Sequence, residues 1–235
     1  MFYEFKNQGE AGRELFIYGD IVGEKRPDWW SGEVSECDTD LKDFRDALDG
    51  MMPGQTLAMY VNSGGGSVFA ASTMVSMLKR AQNRGLKVDA YVDGLAASAA
   101  SWLVLAADSV KVYRNSVMMV HKPLSMCFGN ANDLRHEIEA LDSIEQNVMM
   151  PIYMERAKVE QAEVQAMIDA ESWLGAEDIA AAFDVELIDE EKQVAACASA
   201  FFDRYRHTPK ALAEREPTPV NYSEYEEKIK KAKGE

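Results

Sequence analysis

The chain has 235 residues, of which 47% are hydrophobic and 28% are charged, and its formal net charge at pH 7 is −15. This length suits one large domain or two small ones, and the apolar content is sufficient for a sizeable core. The acidity argues against a nucleic-acid binder, because such a protein presents a basic face to phosphate groups.

The three cysteines, Cys37, Cys127 and Cys197, are widely spaced and include no CxxC pair. This spacing is unlike that of a disulfide framework or a zinc site, so we expect neither. The segment Met1–Lys6 is not a basic stretch followed by an apolar core, and no apolar run reaches membrane-spanning length. We therefore expect a cytoplasmic protein that has no membrane contact.

Hydrophobic periodicity divides the first half of the chain into alternating strands and helices. In chain order these are a strand at Glu14–Tyr18, a helix near 37–50, a strand at Leu57–Val61, a helix over Val68–Arg80, a strand at Lys87–Asp93, a helix after Ser98, and strands at Val110–Tyr113 and Val117–Val120. The apolar side of the second helix is predicted to carry Phe69, Ala70, Thr73, Met74, Met77 and Leu78. The loop before the first helix contains Trp29 and Trp30, which indicate either a surface covered by another subunit or packing on the loop's own core.

The second half begins with a long helical region at about 130–170. Either Asn130 or Asn132 is suited to cap its first helix, and Pro151 is expected to kink or divide it. One apolar stripe runs through Leu134, Ile138, Leu141, Ile144, Val148 and Ile152. A helix at about 160–169, a helix near 176–183 and a strand at Val185–Ile188 follow. The alternation of strands and helices predicts an α/β protein with a mainly parallel sheet.

The stretch Gly94–Ser101 places Ser98 among very small residues, between a predicted strand and a predicted helix. A serine at such a junction lies where helix N–H groups point outward and where the helix dipole favours negative charge. This position suits a nucleophile that must generate an oxyanion. Simple packing of small residues is the alternative interpretation of the same stretch.

Histidine is the usual base for a serine nucleophile, and the chain has three. His207 lies at the start of a polar tail, and His136 lies in a charged stretch that predicts a solvated helical face. His121 ends the predicted strand Val117–Val120, where the active sites of open α/β sheets gather. A core histidine with satisfied hydrogen bonds is the alternative for His121.

Three consecutive glycines, Gly64, Gly65 and Gly66, lie between a predicted strand and a predicted helix. Glycines in this position allow a close backbone approach and present N–H groups to an anion. The segment lacks the Gly-Lys-Ser/Thr ending of a nucleotide-binding P-loop. We therefore expect it to form half of an oxyanion hole.

Together these pieces resemble the signature blocks of the Clp protease proteolytic subunit (ClpP) family, including its phage-borne relatives. The matching blocks are Asn62–Ser67, Gly94–Ser101, Met118–Pro123 and Glu171–Asp178, and their order and spacing also fit. The resemblance spans roughly residues 14–190. It implies the ClpP/crotonase-like α/β fold, in which repeated β-α units form a mainly parallel sheet and a long-helix region projects.

The resemblance implies a serine endopeptidase that needs no metal ion and no organic cofactor. Ser98 matches the nucleophile, His121 the general base, and the backbone N–H groups of Gly66 and Ala99 the oxyanion hole. We also expect Gly65 and Ser67, which flank Gly66, to bind the substrate. Ser101 is a nearby serine that we expect to be a small helix residue facing a neighbouring element.

The third member of the triad is less directly indicated. The family usually has aspartate where this chain has Glu171, and glutamate also orients an imidazole in some hydrolases. Asp169, two residues earlier, is the competing carboxylate, and we favour Glu171. Two further departures, Gly64 in place of a proline and Ala99 in place of a common methionine, leave the backbone donors intact.

The resemblance also implies homo-oligomeric rings, two of them stacked to enclose sites that cleave peptide and protein substrates. The family's usual partner is a Clp ATPase, but the segment before residue 14 is short for that contact.

We predict an N-terminal extension at 1–13, a protease domain at 14–207 and a polar C-terminal tail at 208–235, which is flexible or folds on a partner.

Three other functions stay open. A phage head-maturation protease would process capsid and scaffold proteins in the cytoplasm of a bacterial host. A crotonase-like acyl-CoA enzyme would hold a thioester enolate on the glycine turn, and it would need no Ser98–His121 pair. A non-catalytic assembly protein would keep only the fold.

Overall fold

The computed structural model describes residues 12–27, 32, 34–35, 37–191 and 199–213. Within these residues, seven strands form one sheet: β1 (Gly12–Ile17), β2 (Thr56–Ser63), β3 (Lys87–Ala97), β4 (Ser109–Tyr113), β5 (Val117–Val120), β6 (Ser172–Gly175) and β7 (Glu186–Ile188). Strands pair in the order β1-β2-β3-β4-β7, and β5 pairs with both β3 and β6. Every pairing except the antiparallel β5–β6 pair is parallel, so the predicted mainly parallel α/β sheet is confirmed.

Alternating burial along β1, β2 and β3 defines the two faces of the sheet. One face carries fully buried aliphatic side chains, whereas the other carries the half-buried rings of Phe16, Tyr60 and Tyr91. Adjacent rings in this row are stacked, with centroids 4.9 Å and 5.0 Å apart. This alternation is what a strand with a side-chain period of two produces when one face packs on helices.

Three helices follow the first strands and pack together: α1 (Leu41–Leu48), α2 (Val68–Asn83) and α3 (Ala99–Leu105). Asp40 caps α1 and Ser67 caps α2 by accepting backbone N–H groups. The predicted apolar side of α2 is wrong for Phe69 and Thr73, which are exposed. The buried side of α2 instead runs through Ala70, Ala71, Met74, Val75, Leu78 and Ala81, because the small alanines bring the helix close to the sheet.

Strand β3 is longer than its predicted range of Lys87–Asp93. The small residues Gly94–Ala97, which were expected to form a turn, continue the strand. The first part of β3 pairs with β4, and Leu95–Ala97 then pair with β5. Small side chains in this stretch allow the close approach of both β5 and α3, so the turn begins only at Ser98.

The helical region after β5 begins with α4 (Ala131–Ile144), continues as a π-helical segment (Glu145–Met149) and ends with α5 (Met150–Met154). Asn130 caps α4 in a capping box with Asp133. Pro151 lies in the first turn of α5, where its missing N–H is tolerated. The change from α-helical to π-helical hydrogen bonding therefore occurs before the proline. The apolar stripe is exposed at Leu134 and Ile138 and becomes buried only near Ile152.

The remaining elements are α6 (Gln161–Asp169), α7 (Ala176–Ala182), a short 3-10 helix (Phe202–Arg204) and α8 (Lys210–Ala213). No helix in the described ranges is long and apolar enough to cross a membrane. Those same ranges contain no group of three or more His, Cys, Asp or Glu side chains that could hold a metal ion.

Trp29, Trp30 and Cys197 lie outside the described residues, as do positions 1–11 and 214–235. The predicted domain boundaries therefore stay predictions.

Candidate active site

The pairing of β3 with β5 determines where the two central side chains lie. Ala97 at the end of β3 is opposite Met119 in β5, and the N–H of Ser98 donates to the carbonyl of Met119 at 2.8 Å. Because the strands are parallel, Ser98 and His121 emerge from neighbouring carboxyl ends at the same edge of the sheet. This edge is where open α/β sheets generally form their sites.

Ser98 and His121 form a direct hydrogen bond, with 2.7 Å between Ser98 Oγ and His121 Nε2. In the tautomer that carries its proton on Nδ1, the imidazole accepts the serine hydroxyl proton at Nε2. Ser98 has a φ of 51°, in the left-handed region that non-glycine residues rarely adopt. Among the described residues, the only other non-glycine residue with positive φ is Glu171, which is also part of this site.

Two backbone N–H groups beside Ser98 are available to an anion. The N–H of Ala99 is the first of α3 and has no carbonyl partner within the helix. Gly66 has a φ of 149° and pairs with Ile21 through its neighbours, because Ile21 N–H donates to Gly65 O and Ser67 N–H donates to Ile21 O. Across the described ranges, neither the Gly66 nor the Ala99 N–H donates a hydrogen bond to the protein.

Gly65 must be glycine for two reasons. Its φ is 101°, and an added Cβ would lie 2.7 Å from Ala97 O and 2.8 Å from the Cβ of Ser98. The turn therefore packs directly against the serine-bearing strand end. Ser67 has a structural contact as well, because its hydroxyl accepts the N–H of Ala70 at the start of α2. The substrate contacts predicted for Gly65 and Ser67 stay predictions.

The two candidate carboxylates occupy different environments. Glu171 directly precedes β6, whose antiparallel pairing with β5 brings it beside His121, and it is buried at 8% exposure. Asp169 is at the exposed end of α6, where it forms an ion pair of 3.0 Å with Lys122. In the described residues Glu171 makes no hydrogen bond to His121; its Oε1 accepts the N–H of His207 at 2.7 Å.

Burial sets the ionisation state of His121. Desolvation lowers the pKa of His121 from 6.5 to about 4, and the charge of Glu171 acts in the opposite direction. The imidazole is therefore neutral at pH 7. A neutral imidazole is the form that accepts a proton from a serine hydroxyl.

The side chains of His136 and Ser101 do not contact the side chains of the Ser98–His121 pair, although the Ser101 hydroxyl donates to the backbone carbonyl of Ser98 at 2.6 Å. His136 is exposed on α4 near Glu139, as the charged stretch predicted. Ser101 is buried in α3, where its hydroxyl lies 2.9 Å from the hydroxyl of Tyr153, and Trp102 donates to the same tyrosine. The expectation that Ser101 faces a neighbouring element is thus confirmed.

A group of residues that follows β7 in the chain lies at this site and was not predicted from the sequence. Phe201, Arg204 and Tyr205 line a cavity of about 60 Å³ together with Ser98, His121 and Gly66. The rings of Tyr205 and His121 meet edge to face, with centroids 4.9 Å apart. The available signal was three aromatic residues, Phe201, Phe202 and Tyr205, in an otherwise polar stretch.

Comparisons with known proteins identify the family of this chain. The sequence model of the Clp protease family matches residues 46–191, which is more than half of the chain. The "ATP-dependent Clp protease proteolytic subunit" of Porphyromonas gingivalis is 31% identical over 146 residues, which cover 61% of this chain and 62% of that protein. Proteins of the same name from Bacteroides fragilis and Bacteroides thetaiotaomicron are 27% and 26% identical over 145 residues, covering 61% of this chain and 67% and 63% of theirs.

The fold is that of an α/β protein with a mainly parallel sheet. The chain belongs to the Clp protease family. The match spans about two thirds or less of the length of these relatives. Residues 199–213, which include Tyr205, lie outside the matched range.

We expect His121 to titrate with a pKa of about 4 in the folded protein. As the pH falls, the imidazole is protonated at a higher pH in the unfolded chain than in the folded protein. The free energy of unfolding should therefore fall as the pH drops from about 6.5 towards about 4. The loss attributable to His121 should be on the order of 3 kcal/mol, at roughly 1.4 kcal/mol for each pH unit. NMR of the imidazole and urea unfolding across this range, compared with His121→Asn, measure both quantities. An imidazole that titrates near 6.5 would contradict the burial described here.

Proposed function

We propose that this chain is a serine endopeptidase in which Ser98 is the nucleophile and His121 is the general base. The 2.7 Å hydrogen bond between their side chains carries the proposal, because nucleophilic catalysis by serine requires a base within reach. Membership of the Clp protease family supports the same reaction class.

The proposed reaction transfers the acyl group of a peptide to Ser98 and then to water. Ser98 Oγ attacks the carbonyl carbon while its proton moves to Nε2 of His121, and the carbonyl π bond becomes a lone pair on oxygen. The N–H groups of Gly66 and Ala99 stabilise that oxyanion. Collapse of the intermediate breaks the C–N bond as His121 returns the proton to the leaving amine, and water releases the acyl group by the same steps.

Glu171 is proposed as the carboxylate that positions His121 and stabilises its charged form. Its location beside β5, its burial and its effect on the pKa of His121 support this role over Asp169, whose carboxylate pairs with Lys122. The left-handed φ of 51° at Glu171 is a local strain that the surrounding structure maintains.

We further propose that the chain forms a homo-oligomeric ring in the cytoplasm, and that two rings stack to enclose the sites. The exposed apolar side chains of Leu134 and Ile138 on α4 support an assembly that covers them. The relatives are named ATP-dependent, which supports an ATPase as the partner that delivers protein substrates. A head-maturation role stays a prediction, which cleavage of co-expressed capsid protein would test.

A fluorophosphonate probe should label Ser98. We expect no labelling of Ser98→Ala, and a rate lower by a factor on the order of 10²–10⁴ in His121→Ala, because the base is lost. Mass spectrometry of the labelled peptide identifies the site, and Ser101→Ala is the matched control that should retain it. An acyl-CoA enzyme or a non-catalytic protein predicts no labelling of the folded wild-type protein or of Tyr205→Ala, whose lost ring borders the Ser98 cavity, and absence of labelling in both would exclude the proposal.

The two carboxylates should differ when each is replaced by its amide. Glu171→Gln should reduce kcat for a peptide substrate by on the order of 10²–10⁴, because the imidazolium loses its negative partner. The pKa of His121 should also fall, since the Glu171 charge raises it. Asp169→Asn should change neither quantity appreciably. Steady-state kinetics across pH measures both, and a larger effect for Asp169→Asn would assign the positioning role to Asp169.

A further inference from the structure

Residues 199–208, which we call the C-terminal strap, lie against the candidate active site. Phe202 and Tyr205 are 5% and 8% exposed. They pack against Leu95, Ala97 and Met119, which lie on the strands that carry Ser98 and His121. The apolar side chains of the strap are therefore buried on the catalytic edge of the sheet.

Asp20 anchors the beginning of the strap with both carboxylate oxygens. The Ser199 hydroxyl donates to Oδ1 at 2.5 Å, and the N–H of Ala200 donates to Oδ2 at 3.0 Å. Asp20 directly precedes Ile21, which pairs with the glycine turn at Gly66. The anchor is thus fixed to the same backbone that supplies a proposed oxyanion donor.

Tyr205 occupies the centre of the strap. Its hydroxyl donates to the carbonyl of Gly64 at 2.6 Å. A Cβ added at Gly65 would lie 3.2 Å from the hydroxyl oxygen of Tyr205. Its ring meets the rings of His121 and Trp173 edge to face, with centroids 4.9 Å and 6.2 Å away. A single side chain therefore spans from the glycine turn to the general base.

The end of the strap engages Glu171. The N–H of His207 donates to Glu171 Oε1 at 2.7 Å, while no hydrogen bond joins Glu171 to His121 within the described residues. The carboxylate proposed to position His121 is thus oriented by the strap. Release of the strap would leave that oxygen without this donor.

The strap narrows the space beside Ser98. The cavity lined by Ser98, His121 and Gly66 has a volume of about 60 Å³. Phe201, Arg204 and Tyr205 of the strap form part of its wall, where a peptide with its carbonyl oxygen towards Gly66 and Ala99 would contact them.

We propose that the C-terminal strap is an autoinhibitory element, which fills the substrate site and holds the Glu171 carboxylate away from His121 until it is displaced. This inference concerns regulation of the proposed protease site, so it rests on the proposed function. Residues 199–208 lie outside the matched range 46–191, so the proposal rests on the contacts of this chain alone.

The test compares the rates at which a fluorophosphonate modifies Ser98 in the full chain. Tyr205→Ala removes the central ring, Tyr205→Phe removes only the hydroxyl, which contacts both Gly64 and Ser98, and Ser199→Ala removes one bond to Asp20. Tyr205→Ala should accelerate modification at least about tenfold, and the two milder variants by smaller factors, as the uncovered state becomes more populated. Asp203→Asn, an exposed change in the same segment, is the matched control and should leave the rate unchanged.

Hydrogen exchange gives a second measurement that uses the wild-type protein. Backbone amides of 199–208 should exchange faster once Ser98 carries the phosphonyl group, because the strap must leave. The same amides should exchange faster in unmodified Tyr205→Ala, while amides of β3 and β5 keep their protection and report an intact fold.

The outcomes separate this inference from the proposed function. If Ser98 is modified at the same rate in wild type and in every strap variant, the strap does not cover the site, and the protease proposal stands. Slower modification in Tyr205→Ala would make Tyr205 part of the working site and would also overturn autoinhibition. If Ser98 is not modified in any of these proteins, the proposed function itself fails.

Discussion

The parallel pairing of β3 with β5 is the constraint on which the site depends. It aligns Ala97 with Met119, fixes the N–H of Ser98 on Met119 O, and so brings Ser98 within 2.7 Å of His121. The same strand β5 pairs on its other side with β6, which follows Glu171. A shift of one residue between β3 and β5 would move the serine to the opposite side of its strand end and separate the pair.

The neutral, buried state of His121 and the position of Glu171 have a common cause. The strap packs its Tyr205 ring on the imidazole, and the N–H of His207 donates a hydrogen bond to Oε1 of Glu171. Burial favours a neutral base, whereas a catalytic imidazolium needs an oriented negative partner. In the described conformation the imidazole is neutral, but Glu171 is hydrogen-bonded to the strap and not to His121. This combination is the physical basis for the covered state.

The strand ends and the glycine turn were predictable from sequence because each is local. Val117–Val120 and Leu57–Val61 have clear apolar patterns. His121 directly follows the first, and the glycine turn at Gly64 begins three residues after the second. The extension of β3 through Gly94–Ala97 was not predictable from the sequence, because residues this small give no alternating pattern of polar and apolar side chains. The strap could not be placed because its contacts are distant in sequence: Ser199 and Asp20 are 179 positions apart. Phe69 was misassigned because helical spacing alone does not say which edge of an apolar stripe is covered.

The central claim is that Ser98 and His121 act on a carbonyl held by Gly66 and Ala99, at a site that the strap covers. A crystal structure of the full chain after fluorophosphonate modification tests this most directly. The account predicts a phosphorus atom bonded to Ser98 Oγ, a phosphonyl oxygen within hydrogen-bond distance of both N–H groups, and residues 199–208 displaced from Asp20 and Gly64. An adduct on another side chain, or a phosphonyl oxygen directed away from both donors with Tyr205 still bound to Gly64, would contradict it.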